Sequence, residues 1–315
     1  MIYTLTLNPA LDNIIEVDDK LSPGKNNQIN RITKDVGGKG THVSIALTIL
    51  GEKNRCLGIG GSNNYQELKE KLNDFEVDTE FILIPNQTVR NNYILIDDST
   101  QSSILLTEAG EPIEKQEINA LMDQILNALS KEDYIIVAGN PCKYTSEENF
   151  DYLFKKIVQT GAKICVDLHG KYLDIALKYP LYFAKPNQFE FSHFVNKEMK
   201  EPTDVIDYLR NNKLDKVSIL SVSLGKLGSV IKTDYGLFLF EALKVNTVND
   251  TGSGDAYFAG MIYGLANNKN IIECGKLATA IGAAKAEERL SSGFNLDRVN
   301  ALINKVQFRE VSEII

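Results

Sequence analysis

The sequence has no surplus of basic residues. Its 315 residues include 34 Lys and Arg against 42 Asp and Glu, which gives a formal net charge of −8 at pH 7. Because a nucleic-acid-binding surface needs clustered Lys and Arg, this balance argues against nucleic acid as a partner. A small phosphorylated ligand is still compatible with it, since a few local cations are enough to bind one.

Long apolar runs and targeting signals are also missing. No uninterrupted apolar stretch approaches the ~20 residues that a membrane span requires. The first residues, MIYTLTLNPALD, have no basic start and meet a proline and an aspartate early, which is not the pattern of a signal peptide. We therefore expect no membrane partner and a cytoplasmic location.

Cysteine and histidine are too few and too scattered for a disulfide framework or a metal site. The four cysteines form no C-x-x-C pair, and we expect them to be small buried residues: Cys56, Cys142, Cys165 and Cys274. The three histidines have no metal-ligand spacing: His42, His169 and His193.

The regular alternation of short apolar runs with longer amphipathic stretches predicts an α/β fold around a mostly parallel central sheet. The predicted strands are 3–8, 134–139, 163–168 and 217–225, and the predicted helices include 116–129 and 149–161.

Two segments depart from this alternation. Residues 91–107 predict a hairpin around the polar turn DDST, and residues 11–35 are irregular with one possible strand. Extra strands from two separate places indicate a small β lid beside the main sheet. Because no flexible linker or internal repeat is visible, we expect residues 1–315 to form a single domain with this lid.

A glycine-rich turn in VNDTGSGDAYFAGMIYGL (248–265) is the most informative stretch. We predict a strand at 244–248 before it and a helix at 256–266 after it. The start of a helix presents unpaired N–H groups and a positive dipole end, so this turn can bind an anion. Gly252 and Gly254 allow a phosphoryl group to approach the backbone, and Asp255 can accept a hydroxyl proton during its transfer.

The residues of this stretch alone leave a second interpretation open. Asp255 can simply complete a helix N-terminus, while Ala256, Gly260 and Gly264 form a close-packing stripe at i, i+4 spacing. The stretch is neither a G-x-x-x-x-G-K-[ST] loop nor a G-x-G-x-x-G loop.

A second glycine-rich turn in VGGKGTHVSIALTILG (36–51) also precedes a predicted helix. Gly37, Gly38 and Gly40 flank Lys39, and Thr41 is a candidate helix cap. Two such helix starts, one with a cation and one with a carboxylate, suit a site for two polar or phosphorylated ligands.

Further polar residues follow or precede predicted strands. Asp12 comes after the first strand, where open α/β sheets place ligand contacts, and Arg90 can bind a phosphate with two N–H groups. In KPNQFE (185–190), Asn187 and Glu190 suit nucleotide phosphates or hydrated Mg²⁺. Taken singly, Asp12 is equally compatible with a loop-capping residue, Arg90 at a strand start is more often simply solvated, and KPNQFE is more often an ordinary polar loop.

Taken together, these motifs resemble the ribokinase-like carbohydrate kinases of the phosphofructokinase-B branch. The resemblance extends in order along nearly the whole chain, from TLTLNPALD and VGGKGTHVS through TVRNN, VAGNP, VDLHG, KPNQFE and VSLGKLG to DTGSGDAYFAG. It implies a three-layer sandwich with a β lid, pairing lid to lid as a homodimer. It also implies ATP- and Mg²⁺-dependent phosphorylation of a ketohexose phosphate, with fructose 1-phosphate as the first choice and tagatose 6-phosphate as the second, and it leaves K⁺ activation open.

The resemblance also implies roles for individual residues. Asp255 is the catalytic base, and the N–H groups of Gly252, Ser253 and Gly254 bind the transferring phosphoryl group. The substrate side comprises Asp12, Lys25, Gly37, Gly38, Lys39, His42, Arg90 and Asn140, with Arg90 and Lys25 on the sugar phosphate. The ATP side comprises Asn187, Ser223, Gly225, Gly228 and Gly282, with Glu190 near Mg²⁺.

Three positions depart from the family pattern, and all of them are on the sugar side. His42 stands where the family commonly has Asn, and Asn140 stands in a loop where relatives have Ser. Gln28 replaces an expected Arg in the first lid segment, with Arg31 nearby. These changes leave the choice of sugar open.

Two alternatives from other classes are a nucleotide-binding dehydrogenase and a non-catalytic sugar-phosphate sensor. The missing G-x-G-x-x-G after the first strand argues against the first. The intact turn with Asp255 argues against the second, and an assay of ATP consumption separates it from a kinase.

Overall fold

The computed structural model describes residues 1–17, 21–22, 24–97, 102–126, 129–212 and 214–311. Its strands are β1 (Ile2–Thr6), β2 (Ala10–Val17), β3 (Ile29–Gly37), β4 (Asn54–Gly61), β5 (Thr79–Ile84), β6 (Arg90–Asp97), β7 (Ser102–Thr107), β8 (Tyr134–Ala138), β9 (Lys163–Asp167), β10 (Leu181–Ala184), β11 (Val217–Ser223), β12 (Ser229–Lys232), β13 (Leu237–Phe240) and β14 (Phe308–Glu310). Its helices are α1 (Lys39–Ile49), α2 (Tyr65–Asn73), α3 (Lys115–Leu126), α4 (Glu147–Gln159), α5 (Gly170–Ala176), α6 (Gln188–Phe194), α7 (Pro202–Asn211), α8 (Ser253–Ala266), α9 (Ile271–Ala286) and α10 (Leu296–Ile303).

Within the described residues, ten strands form the large sheet in the order β14-β13-β12-β11-β10-β9-β8-β1-β4-β5. From β11 to β5 every neighbouring pair is parallel, and the three strands beyond β11 are antiparallel. The predicted α/β architecture with a mostly parallel sheet is confirmed.

The helices cover both faces of this sheet because its strands alternate their apolar side chains. Leu5 and Val137 face a cluster that includes α3 and α4. Ile136 and Phe183 face the opposite cluster, which includes α1, α8 and α9. The result is a sandwich of three layers. Among the described helices, none has both the length and the apolar character needed to cross a membrane.

A second sheet has the order β3-β2-β6-β7. Its strands fall at the two segments predicted to form a lid, and β6 and β7 pair as an antiparallel hairpin. The predicted turn of that hairpin spans 97–100, and all of it except Asp97 lies outside the described residues. That residues 1–315 form one domain stays a prediction.

The strand predicted at 244–248 is wrong. These residues have no regular structure in the described chain. The N–H groups of Val248 and Asn249 instead donate to the Ala286 carbonyl, at 2.8 and 3.2 Å. The end of α9 therefore fixes the backbone of Val248 and Asn249, shortly before α8 begins.

The chain order reverses at β1, which lies between β8 and β4 in the large sheet. In open α/β sheets, the crevice at the carboxyl ends of strands beside such a reversal is where ligands bind. Residues that follow β1 and β8 meet at this edge, and the small sheet lies next to it.

Candidate active site

A cavity of about 610 Å³ opens at the carboxyl ends of β1 and β8. It is lined by residues from several segments that are distant in the chain. Of the predicted substrate-side and catalytic residues it contains Asp12, Gly38, Lys39, His42, Arg90, Asn140, Gly252, Gly254 and Asp255.

Asp255 occupies the first turn of α8 and is 6% exposed. Its Oδ2 lies 2.8 Å from His42 Nδ1, which is on the neighbouring helix α1. The other ring nitrogen, Nε2, lies 2.8 Å from the Val36 carbonyl oxygen and 3.8 Å from Asp12 Oδ2. His42 therefore lies between the two carboxylates of this cavity.

The protonation of His42 follows from these contacts. Burial alone would lower its pKa, but the Asp255 carboxylate, the charge of Asp12 and the Val36 carbonyl outweigh burial and raise the pKa to about 9. At neutral pH the ring is an imidazolium, and both nitrogens donate hydrogen bonds. The prediction assigned His42 to the sugar, but both its N–H groups have partners inside the protein.

A buried charged cluster lies at the carboxyl ends of β9 and β10. Asp167 is fully buried, with Oδ1 2.8 Å from Lys39 Nζ and Oδ2 3.0 Å from Lys185 Nζ. Burial would raise the pKa of Asp167, but the two ammonium groups lower it. Two lysines share this carboxylate, and the charge of Glu190 also acts on both of them. A Cβ added at Gly254 would lie 3.8 Å from Lys185 Nζ, so the ammonium group of Lys185 reaches the α8 turn.

The carboxylate of Asp12, which is predicted to face the sugar, lies on β2 in the small sheet and is buried. Its Oδ1 accepts a hydrogen bond of 2.7 Å from Asn92 Nδ2 on β6. Burial raises the pKa of Asp12, which the charge of His42 opposes. Gly37 ends β3 opposite Ala10, beside this carboxylate.

Arg90 begins β6 and lines the cavity. Its Nε donates to the Asn8 carbonyl at 3.2 Å and its Nη1 to the Glu108 carbonyl at 3.1 Å. Burial lowers the pKa of Arg90. Two backbone carbonyls hold this guanidinium at the cavity wall, where it remains a cation.

A second cavity of about 340 Å³ lies on the other side of the α8 turn. Of the predicted ATP-side residues it contains Ser223, Gly225, Gly228 and Gly282, together with Ser253 and Gly254. Gly254 lines both cavities. The two cavities therefore meet at the glycine-rich turn.

The backbone of this turn is available to a ligand. Gly252 is the N-cap of α8, with a positive φ of 83°. The Ser253 N–H donates to the Asp250 carbonyl at 3.0 Å. Within the described residues, the N–H groups of Gly252 and Gly254 have no acceptor. These two groups, at the positive end of α8, are free to donate to an anion.

Asn187 and Glu190 cap α6 rather than line either cavity. Asn187 Oδ1 accepts from the Glu190 N–H at 2.9 Å, and Glu190 Oε2 accepts from the Asn187 N–H at 2.7 Å. Burial raises the pKa of Glu190, which the nearby Lys39 opposes. Asn187 forms a bridge with Ser223 and so adjoins the second cavity.

Lys25 and Asn140 were also predicted to bind the substrate. Lys25 is exposed in the segment between β2 and β3 and lines neither cavity. Asn140 lines the first cavity, but its side chain bonds the backbone of His169 with both polar atoms, at 3.0 Å each.

Sequence reasoning missed Asp167 and Asn92. Asp167 ends a predicted strand in KICVDL, which is the same signal that identified Asp12. Asn92 lies two residues after Arg90, inside a predicted strand, and had no comparable signal.

Comparison with known proteins places the chain in a family. Residues 6–297 match the pfkB family of carbohydrate kinases, and the chain belongs to that family. It is similar to the structure of a candidate phosphofructokinase from Staphylococcus aureus, with 28% identity, complete coverage of both chains and a TM-score of 0.80.

Two more distant likenesses support the fold alone. Phosphofructokinase-2 from Escherichia coli, solved in complex with potassium, is 23% identical over 96% of this chain and 98% of its own, with a TM-score of 0.86. A candidate 1-phosphofructokinase from Thermotoga maritima is 23% identical over 99% of this chain and 100% of its own, with a TM-score of 0.87. The chain is thus a sugar kinase with the predicted ribokinase-like fold.

Proposed function

We propose that the protein transfers the γ-phosphoryl group of ATP to fructose 1-phosphate, giving fructose 1,6-bisphosphate. The observation that carries this proposal is the position of Gly254, which lines both cavities. ATP in the second cavity and a sugar phosphate in the first would meet at the N-terminal turn of α8. The sugar hydroxyl would then face the Asp255 carboxylate.

In the reaction, the sugar hydroxyl oxygen forms a bond to the γ-phosphorus, and the bond from that phosphorus to the β–γ bridging oxygen breaks. Asp255 orients the hydroxyl and accepts its proton late, and ADP leaves. The N–H groups of Gly252 and Gly254 donate to the oxygens of the moving phosphoryl group. His42 holds one carboxylate oxygen of Asp255, which leaves the other for the hydroxyl.

Two cations beside the turn add to this electrostatic stabilisation. Lys39 and Lys185 flank the buried Asp167; Lys185 is itself buried, whereas the Lys39 side chain is 32% exposed. The charge of Lys185 is therefore the less screened of the two. Four buried oxygens of cavity-lining residues have no hydrogen-bond partner within the described residues, as expected of sites for polar ligands: Thr6 Oγ1, Asn92 Oδ1, Ser253 Oγ and Thr279 Oγ1.

Mg²⁺ fits this site as a companion of ATP rather than as a protein-held ion. Within the described residues, no group of three His, Cys, Asp or Glu side chains is placed to hold a metal. Mg²⁺ at kinase sites needs one or two carboxylates besides phosphates and water. Glu190 would be the candidate, through the carboxylate oxygen that does not cap α6. When bound, the ion neutralises charge on the phosphates.

The preference for a phosphorylated acceptor rests on Arg90 and Lys39. Two cations at one cavity suit a substrate that already carries a phosphate, because a neutral sugar would not offset their charge. Tagatose 6-phosphate is the second candidate acceptor, since it presents a ketohexose phosphate with the same charge.

The test compares kcat/KM with ATP for fructose 1-phosphate, fructose 6-phosphate, tagatose 6-phosphate and fructose. We expect fructose 1-phosphate to be preferred. A higher value for another acceptor would reject the choice of substrate. ATP consumption that no acceptor increases would instead favour the sugar-phosphate sensor.

The exposed apolar side chains of the small sheet support assembly as a homodimer through the lid. Ile32 on β3 and Leu106 on β7 are each 54% exposed, and Ile104 is 50% exposed. Apolar side chains on edge strands favour pairing with another chain. Activation by K⁺, as the potassium complex of the E. coli relative suggests, and a cytoplasmic location stay predictions.

A further inference from the structure

One lysine of the first cavity has no role in the proposed reaction. Lys143 follows β8, lines that cavity and is exposed. Within the described residues it forms no ion pair. Its Nζ lies 5.0 Å from the centre of the Tyr144 ring, which is a weak contact at an exposed site. Because the side chain is long and flexible, it can exchange this contact for an anion in the cavity.

The other basic groups of the cavity have partners or are neutral. Lys39 is ion-paired with a buried carboxylate at 2.8 Å, and both ring nitrogens of His42 have partners. Burial and the charge of Lys39 lower the pKa of His169, so this ring is uncharged at neutral pH. Arg90 donates from Nε and Nη1, but its Nη2 has no acceptor within the described residues. Arg90 and Lys143 are therefore the cations that can meet an incoming anion.

Both of these cations are attached to the same short backbone segment, which follows β7. Arg90 Nη1 donates to the Glu108 carbonyl at 3.1 Å. Two residues further along, the Gly110 carbonyl accepts from Cys142 Sγ at 3.1 Å, and Cys142 directly precedes Lys143. The backbone positions of the two cations are thus fixed relative to each other before a ligand binds, which lowers the cost of ordering them.

The turn that carries Lys143 is fixed as well. The Thr145 N–H donates to the Cys142 carbonyl at 2.8 Å. The buried Tyr172 hydroxyl lies 3.1 Å from that carbonyl oxygen and 2.8 Å from the Thr145 carbonyl oxygen. A ligand would therefore have to order the side chain of Lys143 but not its backbone.

One carboxylate, that of Glu108, lines the same cavity and opposes an anion. It accepts from the Asn91 N–H at 2.7 Å and from the Tyr93 hydroxyl at 3.4 Å. These two donors on β6 offset part of its repulsion, and two cations outweigh the remainder.

We propose that Lys143, together with Arg90, binds the phosphate group that the sugar already carries, in the role predicted for Lys25. This inference rests on the proposed function. In fructose 1-phosphate and in tagatose 6-phosphate, the existing phosphate and the reacting hydroxyl are at opposite ends of the sugar. With the hydroxyl at Asp255 on α8, the phosphate would lie toward the segment after β7. There Arg90 supplies directed N–H groups and Lys143 a point charge.

The test measures kcat and KM of the full chain with ATP, using fructose 1-phosphate and unphosphorylated fructose as acceptors. In Lys143→Met we expect KM for fructose 1-phosphate to rise about 10–100-fold, as for the loss of a charged hydrogen bond, with little change in kcat. Because fructose has no phosphate, the ratio of kcat/KM for fructose 1-phosphate to that for fructose should fall by the same factor. Lys143→Arg, which keeps the charge, should recover most of this ratio.

Lys171→Met is the matched control. Lys171 is also exposed, and its Nζ also lies 5.0 Å from the ring of the next residue, Tyr172, but it lines neither cavity. The control should have the KM of wild type. Lys25→Met decides between the two assignments of the phosphate. A rise in KM in Lys25→Met and none in Lys143→Met would overturn the inference, as would an equal loss for fructose and fructose 1-phosphate in Lys143→Met.

Calorimetric binding without ATP separates this inference from the proposed function. If wild type binds and phosphorylates fructose 6-phosphate or tagatose 6-phosphate instead, the choice of fructose 1-phosphate fails. Lys143→Met should still weaken the binding of that sugar phosphate about 10-fold or more. Turnover of fructose 1-phosphate with an affinity that does not depend on Lys143 would keep the function and reject the inference. A wild type that binds none of the three sugar phosphates would reject both.

Discussion

His42 Nδ1 and Asp255 Oδ2 lie 2.8 Å apart, joining the first helix after β3 to the turn where the two cavities meet. Because His42 Nε2 faces the Val36 carbonyl, which can only accept, that nitrogen carries a hydrogen. A hydrogen on Nδ1 as well requires the imidazolium form. The orientation of the candidate base therefore depends on a protonated histidine.

The first prediction concerns Asp255 itself. Asp255→Asn keeps an oxygen that can accept from His42, so the cavity should keep its shape and bind ATP and the sugar phosphate. The amide cannot take the hydroxyl proton, and kcat should fall by about 10²–10⁴-fold. Steady-state kinetics and calorimetric binding measure the two effects. Asp297→Asn, which is also in the first turn of a helix (α10) but is exposed, is the control. Near-normal turnover in Asp255→Asn would remove Asp255 from the mechanism.

The second prediction concerns His42. As pH rises through about 9, Nδ1 loses its hydrogen, its lone pair faces the Asp255 carboxylate, and that carboxylate loses its orientation. Wild-type kcat/KM should therefore decline through about pH 9. His42→Asn, which has the side chain common in the family, should be slower, by about 10-fold for the loss of one charged hydrogen bond. Its profile should also lack the decline near pH 9.

The raised pKa of His42 should also make the thermal stability of the protein depend on pH. The pKa of His42 is raised from 6.5 to about 9 in the folded protein. Wild type should therefore exceed His42→Asn in thermal stability fully below about pH 6.5, and this excess should disappear as pH rises through about 9. A difference in Tm that is constant from pH 6 to 10, or an unchanged alkaline decline in the variant, would show that His42 is not the titrating group.

Much of the fold could be predicted from the sequence, because strand periodicity is local. The predicted strand at 134–139 forms as Tyr134–Ala138, and that at 163–168 forms as Lys163–Asp167. The strand predicted at 244–248 does not form, and the N–H of its last residue, Val248, donates to a distant partner, the Ala286 carbonyl on α9. The apolar alternation of residues 244–248 does not indicate such a distant partner.

The candidate site was predictable in its members but not in their contacts. Asp255 and Lys39 come together in one cavity, as their glycine-rich helix starts suggested. The contact between His42 and Asp255 spans 213 positions of the chain and exists because α1 packs against α8. Pairings of this kind depend on helix packing, which the sequence motifs do not specify.

The third prediction separates folding from chemistry in the α8 turn. Gly252 has a φ of 83°, and an added Cβ would overlap the Ser291 carbonyl oxygen. Gly252→Ala should therefore destabilise the protein, by about 1–3 kcal/mol for the backbone strain alone.

A Cβ at Gly254 would meet nothing nearer than Lys185 Nζ at 3.8 Å. Gly254→Ala should unfold at the wild-type Tm but lose activity, because its methyl group narrows the approach of the phosphoryl group. Equal Tm values for the two variants, or full activity in Gly254→Ala, would contradict this assignment.

The fourth prediction concerns the lid. Ile32 on β3 is 54% exposed, and the apolar side chains at 104–106 on the opposite edge strand are exposed to a similar degree. If this sheet pairs with that of a second copy, Ile32→Lys buries a cation in the interface and should shift the protein from dimer to monomer. Light scattering after size exclusion measures the mass. Leu296→Lys, at a site on α10 that is 42% exposed, should leave the dimer intact. A monomeric wild type, or a dimer that survives Ile32→Lys, would place the subunit interface elsewhere or remove it. Because Ile32 lines neither cavity, a loss of sugar-phosphate affinity in the monomer would reflect assembly rather than direct contact.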